Sequence, residues 1–394
     1  MVVDVSIASH RLSVAQRAGV PPFHVMDVLS AAERRQRTHG DVVSLAPGQP
    51  SSPAPAPVRE AAARALVEHN LGYVEQLGIP PLREAIAEHY ARRYQLKVAS
   101  DDVVVTTGSS GAFLLAFLSA FDPGDRVALP RPGYPAYRNI LTALGCEVVD
   151  LPCGEDVGFV PSVAMLEEHE DLAGVVVASP ANPTGTVLDP NLLAAVAGHC
   201  ERRGIQLISD EIYHGIGFDV DLDCAWRSSR EAIVVNSFSK YFAMTGWRLG
   251  WMLVPPRLRR AVDCLTGNFN ICAPVLSQRA ALAAFTAESY VEVDAHVHRY
   301  RHNRDLLLGG LAALGFEHIA PAEGAFYAWV NVAHLTTDSF ALCSRWLEEI
   351  GLAVVPGVDF DPVDGHQFVR MSFAGTADDV HEAVRRLGEW LRNC

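Results

Sequence analysis

Several features that would place the sequence in common functional classes are missing. The net charge at pH 7 is -14, so nucleic acids and anionic membranes would be repelled rather than attracted. The eight cysteines include no CxxC pair and no metal-ligand spacing, which predicts free thiols, no metal site and a cytoplasmic location. The longest apolar run, 111–121, is too short to cross a bilayer, and residues 1–13 lack the basic and apolar regions of a secretion signal.

The sequence does have the length and composition of an ordinary globular protein with more than one domain. It contains 394 residues, of which 49% are hydrophobic and 20% charged. From about residue 102 to residue 264, β-branched apolar runs alternate with helical patterns. Such alternation predicts an α/β fold with right-handed crossovers and a mostly parallel sheet, followed by a smaller α+β region.

Polar groups follow four of the predicted strands at the point where each strand ends. Ligands of mostly parallel sheets bind at the carboxyl ends of the strands. Structural roles for each residue separately would not explain why the same position is polar in all four strands. These groups are Gly108 to Ser110, Asn182, Asp210 with Tyr213, and Lys240.

The segment around Lys240 combines a reactive amine with donors for an anion. Apolar neighbours favour the neutral amine and lower the pKa of the lysine, which makes it a nucleophile. Ser237, Ser239 and Arg248 supply the hydroxyl and guanidinium donors that a phosphate dianion needs. From this segment alone, a lysine at the edge of the core and an arginine paired with a surface carboxylate are equally acceptable.

Three motifs in this order resemble the fold-type I, pyridoxal-phosphate (PLP) aminotransferases of class I/II. They are ANPTG from Ala181, SDEIY from Ser209, and SFSK from Ser237 with Arg248 following. The resemblance extends from about Asp41 to the last helix. It implies a large domain with a mostly parallel seven-stranded sheet between helices, and a smaller α+β domain formed by both chain ends. The expected boundaries are 1–50 for the N-terminal segment, 51–287 for the large domain and 288–394 for the small domain.

The resemblance also implies a role for each residue of a PLP site. Lys240 would bind the cofactor and later move a proton, while Asp210 would keep the pyridine nitrogen protonated. Asn182 and Tyr213 would hold the phenolate oxygen of the ring, and Tyr134 would stack on its face. The residues expected at the phosphate are Ser109, Ser110, Ser237, Ser239 and Arg248.

Substrate and partner contacts follow from the same resemblance. Arg370, with Gly48 and Asn182, would bind the α-carboxylate of the substrate, although without the family Arg370 reads as a surface arginine on an edge strand. Tyr73 would reach the phosphate of a neighbouring subunit, which implies a homodimer with shared sites. Ser51 and Ser52 depart from the acidic and aromatic residues that the family often has there, so the shape of the pocket entrance stays open.

The implied activity is a ping-pong transfer of an amino group from an L-amino acid to a 2-oxo acid such as pyruvate or 2-oxoglutarate. The segment 265–277 contains no basic residue to neutralise a second carboxylate, which favours neutral donors such as alanine or valine. Three alternatives remain: an aspartate aminotransferase, a PLP-dependent β-eliminating carbon–sulfur lyase, and a non-catalytic PLP-binding regulator. The regulator would need a DNA-binding domain, for which too few residues precede the family region.

Overall fold

The computed structural model describes residues 14–393, so the expectations for residues 1–13 and for the thiol of Cys394 lie outside it. Within the described residues, no helix has the length and apolar character needed to cross a bilayer. The helices are α1 His24–His39, α2 Ala56–Glu68, α3 Pro80–Tyr94, α4 Gly108–Ala120, α5 Pro135–Leu144, α6 Val163–Glu167, α7 Pro190–Arg203, α8 Arg259–Phe269, α9 Val275–Ala281, α10 Ala287–Ala313, α11 Ser339–Ile350 and α12 Ala377–Arg392. The strands are β1 Val43–Ser44, β2 Val103–Thr106, β3 Arg126–Arg131, β4 Glu147–Pro152, β5 Gly174–Ala178, β6 Gln206–Asp210, β7 Ile233–Ser237, β8 Gly250–Leu253, β9 Tyr327–Asn331, β10 Leu352–Ala353, β11 Val355–Pro356 and β12 Phe368–Ser372.

The large sheet has seven strands in the order β2-β8-β7-β6-β5-β3-β4, which confirms the predicted α/β fold. Strands β3 to β7 pair in parallel, whereas β8 is antiparallel to both β2 and β7. Every residue of β6 and β7 is buried, as expected for central strands covered on both faces. Strand β8 was not predicted from the sequence, because it begins with Gly250 directly after the lysine segment and lacks a β-branched run.

Helix α7 shows how local sequence sets the element boundaries. The Asp189 side chain accepts hydrogen bonds from the amides of Asn191 and Leu192, and Pro190 occupies the first helical position. Gly204 ends the helix with φ of 70°, a left-handed conformation that costs glycine little. The sequence pattern predicts a helix over 190–203, and the structure has it at these residues, with strand β6 beginning at Gln206.

A second group of strands joins the two ends of the described chain. Strands β11, β12 and β9 form an antiparallel sheet, and β1 pairs in parallel with β10. The N-terminal helix is attached to the same region, since the Asp359 carboxylate accepts hydrogen bonds from the His24 and Val25 amides at 3.0 and 2.7 Å. The first strand thus pairs with a strand more than 300 residues later in the chain.

Two sequence-based interpretations near the sheet edge were wrong in detail. The sequence predicts a turn at 108–111 and a helix from Ala112, but these residues form the first turn of α4. A helix can begin with glycine and serine, because its first amides need no partner within the helix. The sequence also predicts a loop fixed by prolines over 132–137, but this loop ends at Tyr134 and α5 begins at Pro135. Both changes move side chains from loops onto helices at the edge where the polar groups collect.

Candidate active site

Three of the polar strand ends lie side by side in the sheet. The registers place Ala178 beside Asp210 and Asp210 beside Val235, so the carboxyl ends of β5, β6 and β7 lie next to one another. Asn182 follows β5, Asp210 is the last residue of β6, and Lys240 comes three residues after β7. The structure therefore brings together the groups that the sequence placed at separate strand ends.

Lys240 projects towards the N-terminal loop of the chain. Its Nζ atom donates a hydrogen bond to the Gly48 carbonyl oxygen at 2.6 Å and lies 5.5 Å from the centre of the Tyr213 ring. Burial, together with the positive charge of Arg370, lowers the pKa of Lys240 to about 8. An appreciable share of neutral amine, the nucleophilic form, is therefore present near neutral pH.

Asp210 is held by two donors and is buried. Its carboxylate accepts hydrogen bonds from the Tyr137 hydroxyl and from the Ile212 amide, the latter at 3.0 Å. Burial raises the pKa of Asp210 to about 6, although both donors and the charge of Lys240 oppose the shift. A cation beside this carboxylate would be bound favourably, because the carboxylate has no arginine or lysine in ion-pair contact among the described residues.

Arg370 is a buried guanidinium without a carboxylate partner in the described part of the chain. It donates to Asn182 Oδ1 at 3.1 Å and to the Ala46 carbonyl oxygen at 2.9 Å, and it is 2% exposed. Its Nε atom is buried without a hydrogen-bond partner. Buried guanidinium groups normally have an anionic partner, so this arrangement provides a site for a carboxylate ligand.

The Tyr213 hydroxyl contacts a residue that the sequence analysis did not single out. The Tyr213 and Tyr327 hydroxyl oxygens are 2.7 Å apart, and both side chains are buried. The Tyr327 ring also lies beneath Arg370, with the guanidinium carbon 4.4 Å from the ring centre. Tyr137 was missed as well, and the only sequence signal for either residue was an aromatic group close to a motif.

The first turn of α4 and Arg248 form a second anion-binding corner. A Cβ atom built on Gly108 would lie 2.6 Å from Arg248 Nη2, so the guanidinium sits directly over the start of this helix. Ser109 is partly exposed and Ser110 exposed in the same turn, whereas Ser237 and Ser239 are buried at the end of β7. The Ser237 hydroxyl accepts a hydrogen bond from the Ser239 amide at 3.0 Å.

Tyr134 lies in an aromatic group at the entrance of the site. Its ring makes edge contacts with Tyr137 at 5.3 Å and with Phe23 at 6.1 Å between ring centres. Burial raises the pKa of Tyr134 to about 12, so its hydroxyl stays protonated. Tyr73 stands apart from this group, on the loop after α2, with 80% of its surface exposed.

Comparison with known proteins defines the class of the chain. The model of the aminotransferase class I and II family matches residues 40–387. Over 381 residues the chain is 60% identical to a valine–pyruvate aminotransferase of Mycobacterium tuberculosis, which covers 96% of this chain and 98% of that protein. The chain belongs to the aminotransferase class I and II family.

Solved structures agree with this assignment. A crystal structure of an aminotransferase from Mycobacterium tuberculosis has a TM-score of 0.96 at 59% identity, over 98% of this chain and 100% of that chain. The aspartate aminotransferase of Thermus thermophilus with maleate has a TM-score of 0.91 at 32% identity, over 96% and 100% of the two chains. The protein is thus an enzyme, an aminotransferase that moves an amino group between an amino acid and a 2-oxo acid.

Replacing Asp210 with asparagine should weaken the pH dependence of the free energy of unfolding of the cofactor-free protein. The folded protein holds the Asp210 pKa at about 6, whereas the ordinary pKa of an aspartate is 3.8, so the folded state binds more protons between these two pH values. The free energy of unfolding should therefore fall between about pH 4 and pH 6, by up to roughly 3 kcal/mol, and fall less in Asp210→Asn. Urea denaturation at several pH values measures this. The control is Asp221→Asn at an exposed position. Equal slopes in the wild type and Asp210→Asn would contradict the assignment.

Proposed function

We propose that the chain is a PLP-dependent aminotransferase that uses neutral amino acids such as valine or alanine as donors and pyruvate or 2-oxoglutarate as acceptors. One observation carries this proposal: the lowered-pKa amine of Lys240 shares a buried site with Arg370, a guanidinium that has no carboxylate partner among the described residues. A reactive amine beside an unoccupied carboxylate site is what an amino-acid substrate requires.

The residues of the site fit PLP by their chemistry. PLP supplies an aldehyde that condenses with amines and a protonated pyridine ring that accepts electrons. The positive end of α4 and Arg248 would hold its phosphate, with hydroxyls of Ser109, Ser110, Ser237 and Ser239 nearby. Asp210 would face the pyridine nitrogen, while Tyr134 would stack on the ring. Asn182 and Tyr213 would donate to the phenolate oxygen.

The side chains have separate tasks in the proposed reaction. Arg370, together with Asn182 and the Gly48 backbone, would fix the substrate by its α-carboxylate and so orient the α-hydrogen. The amine of Lys240, when it is free and neutral, would accept that proton and later give it back, first as a general base and then as a general acid. Asp210 would stay ionised beside the protonated pyridine nitrogen of a bound cofactor, because that positive charge would lower the pKa of the carboxyl group.

The surroundings of Tyr134 support a neutral substrate side chain. Phe23 and Phe360 are its neighbours on the entrance side. Both arginines that line this pocket are already paired: Arg131 with Asp361 and Asp364 at 3.0 and 2.7 Å, and Arg138 with Asp150. A second substrate carboxylate would therefore lack a free cation here and be buried unpaired. The similarity to a valine–pyruvate aminotransferase at 60% identity points the same way.

We also propose a homodimer whose sites are completed by Tyr73 of the partner. The loop with Tyr73 is tied to α8 by a hydrogen bond of 2.7 Å from Gln76 to Asp263. Phe269 and Ile271, at the end of α8, are 59% and 48% exposed, so the helix that the Tyr73 loop contacts ends in exposed apolar surface. The domain boundaries at residues 51 and 287 and the cytoplasmic location stay predictions from the sequence.

Lys240 can be tested cleanly because the chain contains only one other lysine, Lys97. Borohydride reduction of the PLP-loaded enzyme should attach the cofactor to the peptide that contains Lys240 and not to that with Lys97, as read by mass spectrometry. Lys240→Ala should lose transamination by orders of magnitude, because both the attachment point and the proton carrier are removed. The exposed Lys97→Ala serves as the control. Normal turnover by Lys240→Ala would end the proposal.

Substrate choice is tested by the ratio of kcat/KM for valine to that for aspartate, with pyruvate as the common acceptor. We expect valine to be favoured by at least about tenfold, or 1.4 kcal/mol of transition-state stabilisation, since the aspartate side chain would lose its hydration without a counter-ion. Alanine measured alongside separates a general preference for neutral donors from one for branched chains. A preference for aspartate of more than about tenfold would show that a cation reaches the pocket.

The dimer is tested by placing a charge on the exposed apolar surface. Phe269→Asp should shift the protein from dimer to monomer in sedimentation experiments, because the carboxylate would be desolvated in the interface. Activity should fall with the dimer fraction. Val157→Asp is the matched exposed control. Val157 follows β4, which is the outer strand opposite to β2 in the seven-stranded sheet. A wild type that is monomeric and fully active at assay concentration would refute the proposal.

A further inference from the structure

Tyr327 occupies a position where the two parts of the proposed site meet. It is the first residue of β9, pairs with Ser372 of β12, and is 1% exposed. Strand β12 also carries Arg370, whereas Tyr213 belongs to the segment that follows β6 of the large sheet. A single side chain therefore contacts the proposed carboxylate-binding group and the proposed cofactor-binding phenol.

We propose that Tyr327 is a positioning residue for transamination, whose hydroxyl donates to the Tyr213 oxygen and whose ring supports the Arg370 guanidinium. This inference rests on the proposed function, because it assigns Tyr213 a ligand-facing hydroxyl. It adds a residue to that site rather than a second site.

The direction of the hydrogen bond follows from the proposed role of Tyr213, whose own hydrogen has to be available for the phenolate oxygen of a bound cofactor. A phenol has one hydrogen to donate, and two phenols 2.7 Å apart share only one of their two hydrogens. Within the described residues, neither the Tyr327 hydroxyl nor the Tyr213 hydroxyl has another hydrogen-bond partner. If Tyr327 donates to Tyr213, the Tyr213 hydrogen stays free for an acceptor in the site. The reverse direction would use up the Tyr213 hydrogen and leave the buried Tyr327 hydrogen unpaired.

The local environment keeps both phenols protonated. Burial raises the pKa of Tyr213 and also that of Tyr327, and the charge of Arg370 opposes the shift in each case. The other charged or titratable groups recorded around the pair are Asp210 and Lys240, besides Tyr134. A donor that stays protonated also polarises the next hydroxyl in a chain, which strengthens its bond to an anionic oxygen.

The ring of Tyr327 accounts for the second half of the role. The guanidinium carbon of Arg370 lies 4.4 Å from its centre, within the range of a cation–π contact. The loop after β1 packs closely against the same side chain, since a Cβ atom on Gly48 would lie 2.6 Å from the Tyr327 hydroxyl oxygen. Displacing this ring would therefore move Arg370 and the Gly48 carbonyl together, and that carbonyl accepts the hydrogen bond of Lys240.

The test is a double-mutant cycle on the PLP-loaded enzyme with Tyr327→Phe, Tyr213→Phe and the double variant. Phenylalanine keeps the ring beneath Arg370, so the exchange isolates the hydroxyl. We expect Tyr327→Phe to lower kcat with valine and pyruvate by about threefold to tenfold, the usual effect of one hydrogen bond, with little change in KM. In the Tyr213→Phe background, adding Tyr327→Phe should change kcat by less than about twofold.

A spectroscopic readout separates positioning from a merely structural role. The lysine-bound cofactor has a visible absorption band that can be titrated with pH. The pH midpoint of this titration should shift in Tyr327→Phe in the same direction as in Tyr213→Phe, by a smaller amount. Tyr90→Phe is the matched control, because Tyr90 is fully buried and its hydroxyl accepts a 3.0 Å hydrogen bond from Trp251. That control should leave the titration of the visible band unchanged.

Two results would overturn the inference. The first is that Tyr327→Phe and Tyr213→Phe act independently, with multiplicative effects on kcat. The second is that Tyr327→Phe leaves the visible band unshifted while it lowers the melting temperature as Tyr90→Phe does. Either result would make Tyr327 a structural residue. A wild type that does not transfer amino groups with PLP would instead refute the proposed function, so the two failures are distinguishable.

Discussion

The positive charge of Arg370 is the constraint on which the rest of the site depends. At 2% exposure the guanidinium has little contact with water, and the described groups that bind it, Asn182 Oδ1 and the Ala46 carbonyl, are neutral. An unbalanced positive charge in the interior costs free energy until an anion binds. The same charge helps to lower the pKa of Lys240, so the carboxylate site and the reactive amine are coupled electrostatically. Binding of a substrate carboxylate would weaken this effect and make the freed lysine a better proton acceptor.

Much of the fold and of the site was predictable because short-range signals determine them. The sequence patterns predict strand β5 at 174–178 and helix α7 at 190–203, as the structure has them, since a run of apolar β-branched residues and a capped helix are specified by neighbours in sequence. The convergence of Asn182, Asp210 and Lys240 followed from one rule about parallel strands. The sequence alone therefore predicts that these residues lie together at the carboxyl ends of neighbouring strands.

The features that the sequence did not predict depend on contacts between segments that are distant in the chain. Tyr213 and Tyr327 are 114 residues apart, and nothing in the local pattern of either residue indicates the other. Tyr137 was overlooked because the loop was extended past Tyr134, whereas α5 begins at Pro135 and turns Tyr137 towards Asp210. Strand β8 was missed for a related reason: its pairing with β2 and β7, rather than its own propensity, makes it a strand.

Arg248 shows how a protein with a net charge of -14 can build a site for an anion. Its backbone has φ of 49° and ψ of 51°, a left-handed conformation that costs a bulky residue about 1 to 2 kcal/mol. This conformation accompanies a guanidinium placed over Gly108, where a Cβ atom would come within 2.6 Å of Nη2. The guanidinium and the positive end of α4 are thus held together although they repel each other, and a phosphate dianion between them would relieve the repulsion. Because the overall field of the protein opposes anions, the attraction has to come from such short-range groups, and the strain at Arg248 is consistent with a position retained for binding rather than for stability.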